Sequence, residues 1–83
     1  MSELTLRDLQ VGESARVLAV RAGMGMGRRL ADLGLIPGTA VKCVAKSPAG
    51  DPAAYLIRGA VIALRRRDAG GVEVEEGVST SWA

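Results

Sequence analysis

The segment Arg28-Arg29-Leu30-Ala31-Asp32-Leu33-Gly34-Leu35-Ile36-Pro37-Gly38 holds a helix together with a complete stop signal. Met26, Leu30 and Leu33 fall at i, i+4 and i+7 and form one apolar stripe. Arg28, Arg29 and Asp32 lie off that stripe, and Arg28 and Asp32 are spaced as an i,i+4 ion pair. Gly34 supplies a left-handed C′ residue, Leu35 at C″ is placed to pack on Leu30 at C3, and Pro37 forbids continuation. The helix is therefore expected over about Gly27 to Leu33, closing in a rigid Pro37-Gly38 corner. Ahead of it, Gly23-Met24-Gly25-Met26-Gly27 reads as a flexible entry, with Met26 in the core and Met24 exposed.

Short strands flank this corner. Ser14 to Val20 (SARVLAV) reads as a strand in which Ala15 and Val17 share a face while Val20 has the opposite parity. Either a bulge near Leu18–Ala19 or burial on both faces reconciles the two. Thr39 to Lys46 alternates Val41, Cys43 and Ala45 against Lys42, Val44 and Lys46. Ser47-Pro48-Ala49-Gly50-Asp51-Pro52 is a compact turn, and Asp51 is held extended by the proline that follows it. Ala54 to Arg58 and Val61 to Leu64 read as a hairpin about Gly59, and Arg65 to Ala69 as a single helical turn. Val72 to Glu75 is the last strand, and residues 77–83 read as a flexible tail beyond one domain, 1–76. At the other end, Thr5 to Leu9 reads as one capped helical turn with Leu6 and Leu9 on the same side. The sum is a mainly β chain of about five short strands and one inserted helix, spaced as in a small, partly open barrel.

Composition supports this and excludes much else. Eighty-three residues suffice for one domain, and 48% hydrophobic content rules out a disordered chain. Eleven glycines fit a barrel of tight turns. With no His and a single Cys, a zinc finger or a His-based triad is excluded. The one cysteine, Cys43, reads as a small core residue and suits a reducing cytosol. No apolar run is long enough to span a bilayer, and the acidic start MSELTLRDLQ is no secretory signal, so a cytoplasmic location without membrane insertion is expected. Tyr55 and Trp82 are the only aromatics, too few for polyproline capture or base stacking.

The net charge of +2 hides an asymmetry: residues 14–67 carry ten bases against two acids, while both ends are acidic. Such a basic middle steers acidic partners. Arg65-Arg66-Arg67 could clamp phosphate, and nucleic acid is the natural alternative ligand, though successive residues of one turn point about 100° apart. Glu73 and Glu75 share a strand face, with Glu76 beside them, but two carboxylates make a weak metal site. No metal, cofactor or catalytic residue is expected.

Three stretches in fixed order carry a family resemblance: RRLADLGLIPGTAV (Arg28 to Val41), SPAGDP (Ser47 to Pro52) and RGAVIALRRRDA (Arg58 to Ala69), followed by Val72-Glu73-Val74. Together they resemble the ferrous iron transport protein A (FeoA) family. The resemblance implies an SH3-like β-barrel without enzymatic activity, accessory to the membrane ferrous iron transporter that carries a cytosolic GTP-binding domain (FeoB type). A similar domain ends the iron-dependent repressors, so a metal-responsive regulatory domain stays open beside a nucleic-acid-binding barrel, of which no stable complex is expected. The resemblance also makes the helix and its lead-in (Met24, Met26, Arg28, Arg29, Leu30, Leu33) the partner surface. Gly34, Leu35, Pro37, Gly38, Pro48, Gly50, Asp51, Pro52 and Gly59 are then the structural motif. Free strand edges in an open barrel allow weak self-association.

Overall fold

A computed structural model describes residues 4–21 and 24–76. In chain order the elements are β1 (Leu4–Thr5), a 3-10 turn (Leu6–Asp8), β2 (Ser14–Val20), α1 (Met24–Asp32), β3 (Ala40–Lys46), β4 (Ala53–Ile57), β5 (Ala60–Leu64), α2 (Arg66–Ala69) and β6 (Val72–Glu76). The tail expected over 77–83 and the entry residues 22 and 23 lie outside the described residues, as do the side chains of Met24 and Met26.

All strands pair antiparallel in one sheet of order β1-β6-β2-β3-β4-β5. Its inner face encloses a single core of Ala15, Val17, Val41, Cys43, Tyr55, Ile57, Leu64, Val72 and Val74, with Leu6, Leu9, Leu30, Leu35 and Ala69 from the intervening segments. One face can wrap one core only if the sheet curls, and the overall extents of 32 × 30 × 29 Å agree. The two ends of the strand order are drawn together by Tyr55, whose hydroxyl donates to the Leu6 carbonyl at 3.2 Å. The 3-10 turn that presents Leu6 is itself capped: Asp8 accepts from the Thr5 N–H at 2.9 Å and from its hydroxyl at 3.1 Å.

The stop signal of α1 folds as its residues dictate. Leu35 N–H donates to Leu30 C=O at 3.0 Å and Gly34 N–H to Ala31 C=O at 2.9 Å, the paired bonds of a Schellman motif. Gly34 sits at φ +103° and Leu30 and Leu35 are both buried. Ile36 to Thr39 then forms a turn with Pro37 second and Gly38 third at φ +95°, the type II pattern, closed by Thr39 N–H on Ile36 C=O at 3.1 Å. The corner is tied to β2, because Gly38 N–H donates to Val17 C=O and Val17 N–H to Thr39 C=O, both at 2.8 Å.

Several expectations need correction. Among the described residues there are six strands, the first being a two-residue pairing of Leu4 and Thr5 with β6, and two α-helical segments. Two residues have no periodicity to read; only the partner strand makes them a strand. The helix begins at Met24, so the glycine-rich stretch from Met24 to Gly27 is helical rather than an entry loop. Tertiary packing, more than propensity, sets the extent of short helices. The expected Arg28–Asp32 ion pair is absent; among the described residues the pairs are Arg21–Glu73 and Arg67–Asp68. The bulge in β2 does lie between Val17 and Ala19. A second, unforeseen bulge between Cys43 and Ala45 flips parity in β3, leaving Cys43 buried but Ala45 exposed. Arg58 belongs to the turn, not to β4: Arg58 (φ 50°) and Gly59 (φ 84°) form the two-residue hairpin between Ile57 and Ala60.

Two outcomes follow. Burial raises the Tyr55 phenol to about 12, and the charges of Cys43 and Asp51 act in the same direction. Tyr55 loses its proton earlier in the unfolded chain, near its ordinary value of 10.0, so unfolding releases a proton between these values. Stability should hold below about pH 10 and fall toward pH 12, as read by urea denaturation, and Tyr55→Phe should flatten that slope while costing about 1 kcal/mol at neutral pH. Gly34→Ala should cost about 1–2 kcal/mol, because an alanine there keeps φ at +103° and sets its Cβ 2.8 Å from Arg58 Cδ.

Candidate interaction groove

The Schellman corner fixes how α1 lies on the barrel, and Leu30 is its anchor at 1% exposure. Arg28, Arg29, Ala31 and Asp32 point to solvent, while Leu33 is half-buried against the core. Of the proposed partner-surface residues, Arg28 and Arg29 are therefore accessible and Leu33 partly so. Leu30 can support a contact surface but not touch a partner. Met24 and Met26 occupy the first turn of α1.

Beside α1 the chain leaves a groove of about 390 Å³, with Arg29, Leu30 and Leu33 on one wall and Ile62, Leu64 and Arg65 on the other. Arg67 and Asp68 also line it. The floor is thus aliphatic and the rim cationic. Sequence spacing put Leu30 and Leu33 on one apolar stripe with Arg29 off it; it gave no sign that β5 and the arginine run would face them across a groove, since more than 25 residues separate the two walls.

The arginine run is held by the SPAGDP turn. Ser47 C=O accepts from Gly50 N–H at 2.7 Å, closing a turn with Pro48 second, and Ser47 N–H donates to Pro52 C=O at 3.1 Å. This places Asp51, ahead of a cis Pro52, so that its carboxylate accepts the Arg66 N–H at 2.9 Å. Asp51 therefore caps α2, the turn that carries Arg66 and Arg67, and the second and third family stretches are one structural unit. No local pattern marks a cap supplied from 15 residues upstream.

Carboxylates elsewhere are largely engaged. Glu13 accepts the Gln10 N–H at 2.7 Å, and Glu73 Oε2 lies 2.8 Å from Arg21 Nε, a charge contact rather than an aligned hydrogen bond. Arg28, Arg29, Arg58, Arg65, Arg66 and Arg67 are all exposed, and of these six guanidinium groups only that of Arg67 forms an ion pair among the described residues, at 3.7 Å from Asp68. The basic surface is real and unneutralised. Cys43 is fully buried with its thiol pushed upward by desolvation, so it is neither a nucleophile nor an accessible metal ligand. Among the described residues no three His, Cys, Asp or Glu side chains gather as a metal site. Nor is any helix among them long and apolar enough to cross a membrane.

Comparison with known proteins agrees with this architecture. The FeoA domain matches residues 4–76. A fusion protein of Fe(2+) transport protein A and the Fe(2+) transporter FeoB from Porphyromonas gingivalis is 31% identical over 72 residues; the match takes in 87% of this chain but only 8% of that protein. The solution structure of FeoA from Chlorobium tepidum superposes with a TM-score of 0.83 at 34% identity, covering 94% of this chain and 76% of that one. FeoA of Stenotrophomonas maltophilia, an SH3-domain protein crystallised with zinc, gives 0.78 at 36% identity over 87% and 89% of the two chains. The mainly antiparallel barrel is thus SH3-like. With its Schellman corner, capped arginine turn and curled sheet spanning the matched residues, the chain belongs to the FeoA domain family.

Proposed function

We propose that this chain is a non-catalytic, cytosolic accessory of ferrous iron uptake that docks on the cytosolic GTP-binding part of a FeoB-type membrane transporter. The observation that carries this reading is the Porphyromonas gingivalis relative, in which a segment like this chain and the transporter FeoB form one polypeptide. Fusion keeps two partners at high effective concentration, which suits a contact that is weak when the partners are separate.

The exposed Arg28 and Arg29 of α1, together with Met24 and Met26 of its first turn, are the docking element in this reading. Leu30 and the Gly34–Leu35 lock hold that face in one orientation, so little ordering cost arises on binding. The domain acts by binding one conformer of the transporter better than another, and any change in nucleotide turnover or pore opening follows from that difference. A small, cationic contact is salt-sensitive.

Capture of the detergent-solubilised transporter from the same genome tests this. Arg29→Glu and Met24→Asp should each reduce capture at least fivefold, with circular dichroism unchanged, and should lower ferrous iron uptake in cells. If both variants keep full capture and full uptake, the helix-face reading is wrong. Leu30→Asp serves only as an unfolding control, since it buries a charge among aliphatic side chains.

A further inference from the structure

We propose that the outer edge of β5 binds a short, extended, acidic peptide segment by strand addition, with one apolar side chain of that segment seated in the groove beside α1. This rests on the reading of the domain as a docking module and names what it would recognise.

The register supplies the edge. Ile57 pairs with Ala60 across the two-residue turn, so Ala60, Ile62 and Leu64 direct their backbone groups toward β4, and Val61 and Ala63 direct theirs away from it. β5 ends the strand order, and among the described residues no backbone group bonds Val61 or Ala63 on that outer side. Two N–H donors and two C=O acceptors are therefore presented in a row, the pattern to which an extended peptide adds. Nothing on the strand discourages it: Val61 is 64% exposed and Ala63 is exposed and small, with no proline or inward charge along β5.

The groove supplies the side-chain pocket. Leu33 and Ile62, both half-buried, line the groove beside this edge, and a strand alternates its side chains. One aliphatic side chain of the segment would enter the groove while its neighbours lie at the rim.

The rim supplies the sign. Arg29 on α1 and Arg65 and Arg67 after β5 stand at the groove, with Asp68 as its single carboxylate and already beside Arg67. Glutamate or aspartate flanking the apolar residue satisfies these guanidinium groups, whereas a basic segment meets like charge. The same argument disfavours a second copy. Antiparallel pairing of two β5 edges would bring Arg58 at the start of one strand toward Arg65 at the end of the other.

Titration of the ¹⁵N-labelled chain with a seven-residue peptide of alternating valine and glutamate is the test, with lysine replacing glutamate in the control peptide. Amide shifts should centre on residues 60–65 and 29–33, with a dissociation constant on the order of 0.1–1 mM. Affinity should fall at least threefold between about 50 and 300 mM NaCl, and the lysine peptide should not bind. Val61→Pro removes an outward N–H without touching the β4 ladder and should weaken binding at least fivefold. The surface pair Arg65→Glu and Arg67→Glu should abolish it in a chain whose spectrum shows it folded. Shifts centred elsewhere, equal binding of the lysine peptide, or full affinity in Val61→Pro overturns the proposal, as does concentration-dependent pairing of β5 edges in the free chain. The two readings fail separately. Peptide binding at β5 without transporter capture leaves this edge site standing and removes the transporter reading, and capture unaffected by Val61→Pro with no peptide shift does the reverse.

Discussion

Everything on the α1 side of this molecule depends on the burial of Leu30 and Leu35 on either side of the left-handed Gly34. A nine-residue helix containing two glycines is not stable alone in water. It persists because the last turn is stapled twice, by backbone bonds to its orphan carbonyls and by one leucine on either side of the stop. Gly38 and Thr39 then hydrogen-bond to β2 at Val17, so the helix axis is referenced to the sheet within a few residues of its end. Arg29 and Leu33 consequently have fixed positions relative to β5, and a groove exists where a loose helix would leave a fluctuating gap.

A division of labour between acids and bases complements that lock. Asp8 caps the first turn, Asp51 caps α2, Glu13 satisfies a loop N–H and Glu73 meets Arg21. Each carboxylate does local structural work, as short acceptors do well at turns and helix starts. The arginines are left over. Their long side chains stay exposed at α1, at the β4–β5 turn and around α2, and the surface field there is stronger than a net charge of +2 implies. The fold converts a nearly balanced composition into a basic face.

Much of this was legible in the residues themselves. The corner after α1 was readable because glycine at C′, leucine at C″ and proline beyond it have one joint solution. The parity clash among Ala15, Val17 and Val20 pointed to a bulge or to burial on both faces, and the structure chose the bulge. Cys43 was readable as core from its parity within the first half of β3. Ala45 was misplaced because the same parity rule fails beyond a bulge that no residue type announces. Leu30 showed the converse limit: an apolar stripe says which face is buried, and a residue at its centre is the least able to reach a partner.

By itself, then, the sequence determined most of the local elements, the corner after α1, the mainly β class and the basic bias, because these follow from spacing and backbone preferences within a few residues. Only the tertiary structure decided that Asp51 caps α2, that Tyr55 ties β4 to Leu6, and that α1 and β5 face each other across a cationic groove. Those contacts join positions 15 to 49 residues apart or more than 25 apart across the groove, and their geometry is set by the closure of the sheet rather than by any neighbouring residue.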